Sequence, residues 1–234
     1  MTLGLFDPAF LGGLVTTPAG PTDPYFSNVS LLLHGDGANG STTFLDSSPS
    51  PKSVVPYGDA QINTTVTDPF GRTGVGVISL DGTGDLLGIP QISISQNESF
   101  TVEAWVYKIV KESGYSMLIR SGGTYFGYDL LGPGTVYMLI NNSLAFFNTD
   151  PVLLTESWTH LAYVRNVGVC TAYCNGVPIA SGTAGSAFYI DFIGAGSASG
   201  GSDMKGYIDE LRITKGVARY QSTFTPPTAP FPDA

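Results

Sequence analysis

The stretch MKGYIDELRITKGVARY, residues 204–220, decides how the chain is read. It predicts a long β-strand that ends in a short helical turn or hook. Alternation puts Tyr207, Asp209, Leu211 and Ile213 on one side, and Ile208, Glu210, Arg212 and Thr214 on the other. A carboxylate therefore shares a face with two aliphatic side chains. If that face is buried, Asp209 requires a compensating partner, because a lone buried charge is costly.

Segments elsewhere supply partners for such a strand. In SFTVEAWVYKIV, residues 99–110, Phe100, Val102, Ala104 and Val106 make an apolar face, and Thr101, Glu103, Trp105 and Tyr107 an amphipathic one. That pattern suits a sheet packed on one side and half-covered on the other. SWTHLAYVRNVGVCTAYCNGVPIAS, residues 157–181, predicts three strands joined by two turns, the second at Asn175-Gly176, a pair suited to a type I′ turn. VGVISLDGTGDLLGI, residues 75–89, predicts a hairpin about Asp81-Gly82. The proline-bearing residues 48–74 suit edge strands and loops, and the tail FTPPTAPFPDA, residues 224–234, suits a strap outside any sheet centre. Several short strands with Gly or Asn turns fill residues 115–147. No solenoid or propeller repeat and no long amphipathic helix is evident, so one all-β sandwich domain is expected at residues 27–234.

Residues 1–26 read differently. They hold four prolines, four glycines and no Lys or Arg, and Leu3, Leu5, Phe6, Phe10, Leu11, Leu14 and Val15 follow no clean period. One reading is a leader or strap lying on its own domain. The other is an extended arm whose Leu5, Phe6, Phe10, Leu11 and Leu14 dock on another subunit, since an apolar arm left free invites aggregation. The start lacks the basic region and apolar core of a secretory signal.

Only 12% of residues are charged against a usual value of about 25%, so Gly, Ser, Thr, Asn and Tyr must build much of the surface. A net charge of −9 with ten scattered Lys and Arg argues against nucleic acid and anionic membranes, and no apolar run is long enough for a transmembrane helix. Cys170 and Cys174 fall in one predicted strand, roughly 13 Å apart, beyond the Cα separation of about 7 Å that a disulfide tolerates. Two free thiols are expected, as in a reducing cytosol, unless that segment is not extended or each thiol pairs with another chain.

Catalytic signatures are sparse. Acyl-transfer chemistry requires a base beside its nucleophile. His34 reads as a strand-end residue, His160 as a partly buried one on the side of Trp158 and Ala162, and there is no G-x-S-x-G elbow. No Gly-rich loop leads into a helix to cradle phosphate. For glycan recognition, Tyr115, Tyr125, Tyr128, Tyr137 and Asn141 supply rings and an amide. The same tyrosines would serve equally well to cover a sheet face or a subunit contact.

Four segments in order resemble laminin-G-like domains of the concanavalin A-like lectin/glucanase superfamily, in the version found in tailed-phage virion proteins. They are LLLHGDGANGSTTFLDSS, FTVEAWVY, WTHLAYVRNVGVCTAYCNGVPI and MKGYIDELRITKGVARY followed by FTPPTAPF. The resemblance implies a jelly-roll sandwich of two antiparallel sheets. It also implies a non-enzymatic binding or scaffolding role in a capsid decoration, head fibre or tail fibre, at the virion surface after assembly in host cytoplasm. The partners it implies are other virion proteins, copies of the chain itself, as in a trimer, and surface glycans. The superfamily's glucanases carry a Glu-x-Asp-x-x-Glu pattern that none of the five glutamates here reproduces. The resemblance further implies a structural Ca²⁺ held by Asp209, with Asp36 or Asp46 from the opening turn. A free-standing lectin is the alternative function.

Overall fold

The computed structural model describes residues 22–109, 116–129, 134–147, 155–194 and 202–234. Apart from the 3₁₀ turn Phe26–Asn28, the regular elements among the described residues are fifteen strands in two antiparallel sheets. The first sheet contains β1 (Val29–Leu33), β3 (Gln61–Asn63), β4 (Val77–Asp81), β6 (Phe100–Lys108), β11 (Trp158–Asn166), β12 (Val169–Cys174), β13 (Val177–Thr183) and β15 (Lys205–Lys215). Its order is β13-β12-β11-β6-β15-β4-β3, with β1 also on β15. The second contains β2 (Val55–Tyr57), β5 (Leu86–Ile94), β7 (Ser116–Ser121), β8 (Thr124–Tyr128), β9 (Val136–Ile140), β10 (Ser143–Phe147) and β14 (Phe188–Ile193), in the order β10-β9-β8-β7-β14-β5-β2. This is the jelly-roll sandwich expected. The proline-rich region supplies only β2 and β3, each at a sheet edge, where a missing amide costs no ladder bond.

The core lies between the sheets. Phe100, Val102, Ala104 and Val106 of β6 meet Leu161 and Tyr163 of β11, and across the gap Phe126, Met138 and Ile190. Each fully buried aliphatic or aromatic side chain contributes about 1.5–3 kcal/mol, so this layer carries most of the stability. Cys170 and Cys174 are buried in β12 and form no disulfide.

The central strand β15 departs from simple alternation. Asp209 faces Trp105 and Arg212 faces Glu103, so Glu210 and Leu211 together oppose Ala104. This is a β-bulge, with Glu210 at φ +51. It reverses the facing of everything after it. Ile208, Leu211 and Ile213 all point into the core, whereas Asp209 and Arg212 belong to the outer face. Asp209 therefore does not share a face with Leu211 and Ile213. The bulge also marks a change of neighbour: β4 pairs with residues 205–208 of β15, and β1 with residues 211–214.

Asp81-Gly82 likewise closes no hairpin. β4 lies in the first sheet and β5 in the second, and the turn carries the chain across the sandwich edge, with Asp85 accepting the Asp81 amide at 2.7 Å. The predicted helical hook is absent, and residues 216–234 form an irregular strap across the outer face of the first sheet. Asn175-Gly176 does turn β12 into β13, at φ +48 and +79. A Cβ on Gly176 would fall 1.8 Å from the Phe224 carbonyl oxygen, and the Phe224 amide donates to the Gly176 carbonyl at 2.9 Å. Gly176→Ala is therefore expected to cost about 2 kcal/mol or more, through left-handed strain and displacement of the strap, measurable by denaturant unfolding.

Candidate functional sites on the first sheet

The amphipathic face of β6 is sealed rather than open. Ala218, Tyr220 and Phe224 of the strap pack on Ala162, Val164 and Tyr173, and the Tyr220 and Phe224 rings stack at 3.6 Å. Farther along, Phe231 closes over Val29 and Leu32. Beside them, Phe70 meets Trp105 edge-on, and Trp158 Nε1 donates to the Thr67 carbonyl at 2.8 Å.

Two carboxylates and two guanidinium groups lie beneath this cover. Arg212 donates from Nε and Nη2 to Glu103 Oε1 at 3.0 and 2.8 Å, and from Nη1 to Asp23 Oδ2 at 3.1 Å. Arg219 grips Asp23 through both terminal nitrogens at 2.9 and 2.7 Å. The Tyr220 hydroxyl donates to Glu103 Oε2 at 2.7 Å, and His160 Nε2 stands 3.3 Å from the same oxygen. Burial alone would raise the Glu103 carboxyl, but Arg212, His160 and Tyr220 together outweigh it and hold it down at about 2. His160 is thus a buried outer-face neighbour of Glu103, on the side of Trp158 and Ala162 as the alternation predicts. The Phe231 ring lies 3.5 Å from Arg212 Cζ and covers the cation. Charges balance within this group, and the residues that bind Glu103 also exclude water. A carboxylate held ionised, buried and fully engaged is not placed to transfer a proton to a substrate.

A second ionic group pins the strap's end. His34 Nδ1 lies 2.8 Å from Glu210 Oε1, and Nε2 lies 2.7 Å from Asp233 Oδ1. Glu210 Oε2 accepts the Phe231 amide at 2.7 Å. Burial lowers the affinity of His34 for its proton, but the two carboxylates overcome it and raise the group to about 9. A raised histidine contributes stability that is full below its unfolded value of about 6.5 and is lost as pH rises through about 9. The Phe231 amide is therefore expected to lose exchange protection between pH 7 and 10 in excess of the intrinsic rate, with the effect abolished in His34→Gln.

Asp209 sits next to this group. Its Oδ1 accepts the Glu210 amide at 2.9 Å, while the buried Oδ2 has no hydrogen-bond partner. Burial first, then Glu210, with Asp68 and Asp36 adding to the field, push the carboxyl up to about 9. Such an oxygen calls for a proton or a cation. The other acidic residues nearby are mostly committed. Asp46 Oδ1 accepts the amides of Leu32 and Ser48, and its Oδ2 accepts the Ser48 hydroxyl and the Lys52 amide, so each oxygen of this expected metal ligand already holds two hydrogen bonds. Asp68 accepts the amides of Phe70 and Arg72 and pairs with the Arg72 side chain. Asp36 is exposed at the corner. Among the described residues no three His, Cys, Asp or Glu side chains converge on one point. A cation here would rest on Asp209 and Asp36, completed by backbone carbonyls and water.

The candidate glycan residues separate. Tyr128 and Tyr137 are 1% and 2% exposed and cannot offer a ring face to a sugar. Tyr125 is half-buried under the Arg120 guanidinium, 5.5 Å from its ring centre. Asn141, in the β9–β10 turn, donates its amide to the Ala187 carbonyl at 2.9 Å. Tyr115 and the arm residues Leu5, Phe6, Phe10, Leu11 and Leu14 lie outside the described residues. The sequence reading also missed Asp23, whose partners Arg212 and Arg219 are nearly the whole chain away. The stretch set apart as an arm thus ends tied to the sandwich, and the Asp23 amide donates to the Ala234 carbonyl at 2.7 Å.

Comparison with known proteins agrees with this architecture. Residues 81–220 match the laminin G family model described as the concanavalin A-like lectin/glucanases superfamily. No curated protein matches the chain. Domain 4 of a GH43 extracellular arabinanase from Geobacillus stearothermophilus, solved with arabinotriose, superposes with TM-score 0.58 at 20% identity, covering 82% of this chain and 95% of that one. A sialidase from Trypanosoma rangeli superposes with TM-score 0.52 at 16% identity over 78% of this chain, and the enzymatically active domain of tailspike protein 2 from bacteriophage CBA120 with TM-score 0.52 at 15% identity over 71%. The present chain spans only 30% and 29% of those two. At these identities the likeness is one of fold. The family match covers more than half of the sequence, and the chain belongs to the laminin-G-like branch of the concanavalin A-like lectin/glucanase superfamily.

Proposed function

We propose that this chain is a non-catalytic structural protein of a phage virion, a capsid decoration, head-fibre or tail-fibre component whose lectin-like domain meets host-surface glycans. The observation that carries the reading is the gathering of Asp23 and Ala234 on the strapped outer face of the first sheet. An arm entering at Asp23 would attach the domain from that side and leave the second sheet pointing away from the particle. Support also comes from the apolar character of residues 1–21, which hold no Lys or Arg, from two buried thiols outside any disulfide, suited to assembly in host cytoplasm, and from the phage tailspike among the structural neighbours. In this reading Leu5, Phe6, Phe10, Leu11 and Leu14 contact another virion protein, and the low-charge surface favours a homo-oligomer such as a trimer. A structural Ca²⁺ on Asp209 and Asp36 belongs to the same proposal, and its role would be to neutralise the unpartnered oxygen beside the strap.

Gold-labelled antibody imaging of purified particles tests this directly. Label over the heads or the tails is expected. A soluble pool with unlabelled intact and disrupted particles would leave the free-standing lectin as the better account.

A further inference from the structure

The second sheet carries a groove unrelated to the strapped face. It lies at the β2–β5–β14 edge, has a volume of about 380 Å³ and is lined by Val55, Tyr57, Gly88, Gln91, Asp191 and Phe192. That size falls within the usual range of small-molecule sites, roughly 300–1,000 Å³. Gly88 makes the floor. A Cβ there would lie 3.0 Å from Tyr57 Cε2 and 3.8 Å from Phe192 Cε1, so the missing side chain lets both rings settle against the strand. Tyr57 is 40% and Val55 49% exposed, so the aromatic wall faces solvent. At the other end stand Asp191 and Gln91; burial raises the Asp191 carboxyl, and Ser121, Arg120 and Gln91 act against that rise.

We propose that this groove binds a neutral saccharide, one ring seated by its C–H face on Tyr57 and Phe192 and two neighbouring hydroxyls donated to Asp191 and Gln91. An apolar floor with a few convergent polar groups is the usual make-up of such sites, and here the Asp191 carboxyl and the Gln91 amide are those groups. Neutrality follows from the charges. Arg120, the cation acting on Asp191, is shared with the Tyr125 ring, and the carboxylate together with a chain charge of −9 repels sialic or uronic acids. The groove is too small and too polar at one end for a protein docking face. The proposal rests on the glycan-meeting part of the function above and not on its virion part.

Calorimetric titration of the full chain tests it, with a panel of neutral oligosaccharides that includes arabinotriose and with sialyllactose as the anionic comparison. At least one neutral oligosaccharide is expected to bind. Tyr57→Ala and Asp191→Asn should each weaken it about tenfold or more, while Tyr25→Ala, beside the 3₁₀ turn and over Arg219 of the strap, leaves it unchanged. Asp191→Asn preserves shape and keeps the test sharp should Tyr57→Ala disturb the edge strand. Preference for sialyllactose, binding indifferent to both groove substitutions, or no binding of any neutral oligosaccharide would overturn the proposal. Particle labelling measured alongside would show whether the virion reading survives that failure.

Discussion

Glu103→Ala is expected to lower the melting temperature by roughly 10 °C. The substitution leaves Arg212 with a single carboxylate partner and Tyr220 and His160 with none, all beneath a strap that excludes water. Breaking one side of a buried ionic group costs about 3–5 kcal/mol, because the remaining charges stay desolvated. In a domain of this size 1 kcal/mol corresponds to about 2–4 °C. Lys215→Ala is the control: its ion pair with Glu98, 3.8 Å long at the surface, should change stability by under about 0.5 kcal/mol. The pH dependence has a definite sign. Glu103 is depressed to about 2 from a usual 4.5, so its contribution is full above about 4.5 and is lost as pH falls toward 2. Wild-type stability should fall over that window more steeply than that of Glu103→Ala. Differential scanning calorimetry from pH 2.5 to 7 reads both effects. A melting temperature within 2–3 °C of wild type would mean that the strap is not held by this group.

Asp209→Asn is expected to act in the opposite direction. A carboxyl raised to about 9 in the fold, from about 3.8 unfolded, imposes no penalty below pH 3.8 and a growing one up to about 9. With chelator present at pH 7.5, the isosteric amide removes that penalty and should stabilise the chain by about 2–4 kcal/mol, or roughly 5–10 °C. Millimolar calcium tests the metal separately. If Ca²⁺ occupies the corner, wild type gains up to about 2.7 kcal/mol at a hundredfold excess over Kd, and the variant gains little. A wild type indifferent to both calcium and chelator would assign the site to a proton and remove Ca²⁺ from the account. A destabilised variant in chelator would refute the orphaned-oxygen reading itself.

Both effects depend on features that the sequence exposes unequally. The strands at Phe100–Lys108 and Trp158–Asn166 are legible because their alternation agrees with their final places, and Lys205–Lys215 is legible as a strand though not in its facing. The β-bulge is not legible. Glycine is the usual signal for a left-handed position, and here Glu210 occupies it, held by His34 and the Phe231 amide from the chain's far ends. Once alternation is carried through that point unbroken, Asp209 falls on the wrong face. Asp81-Gly82 fails for a related reason: the pair fixes a local turn, while the choice between pairing and crossing to the other sheet is made by the core. Tyr128 and Tyr137 show that aromatic content does not declare exposure. The groove at Tyr57 and Phe192 joins segments more than a hundred residues apart around a glycine whose importance is the atom it lacks.

The division of labour between the two sheets is the central claim, and removing residues 1–21 tests it most directly. That deletion spares Asp23, so the ionic group and strap remain whole. The account predicts that the shortened chain keeps its melting temperature and its affinity for a neutral oligosaccharide but no longer associates with particles. Particle association retained without those residues, or glycan affinity lost with them, would contradict it.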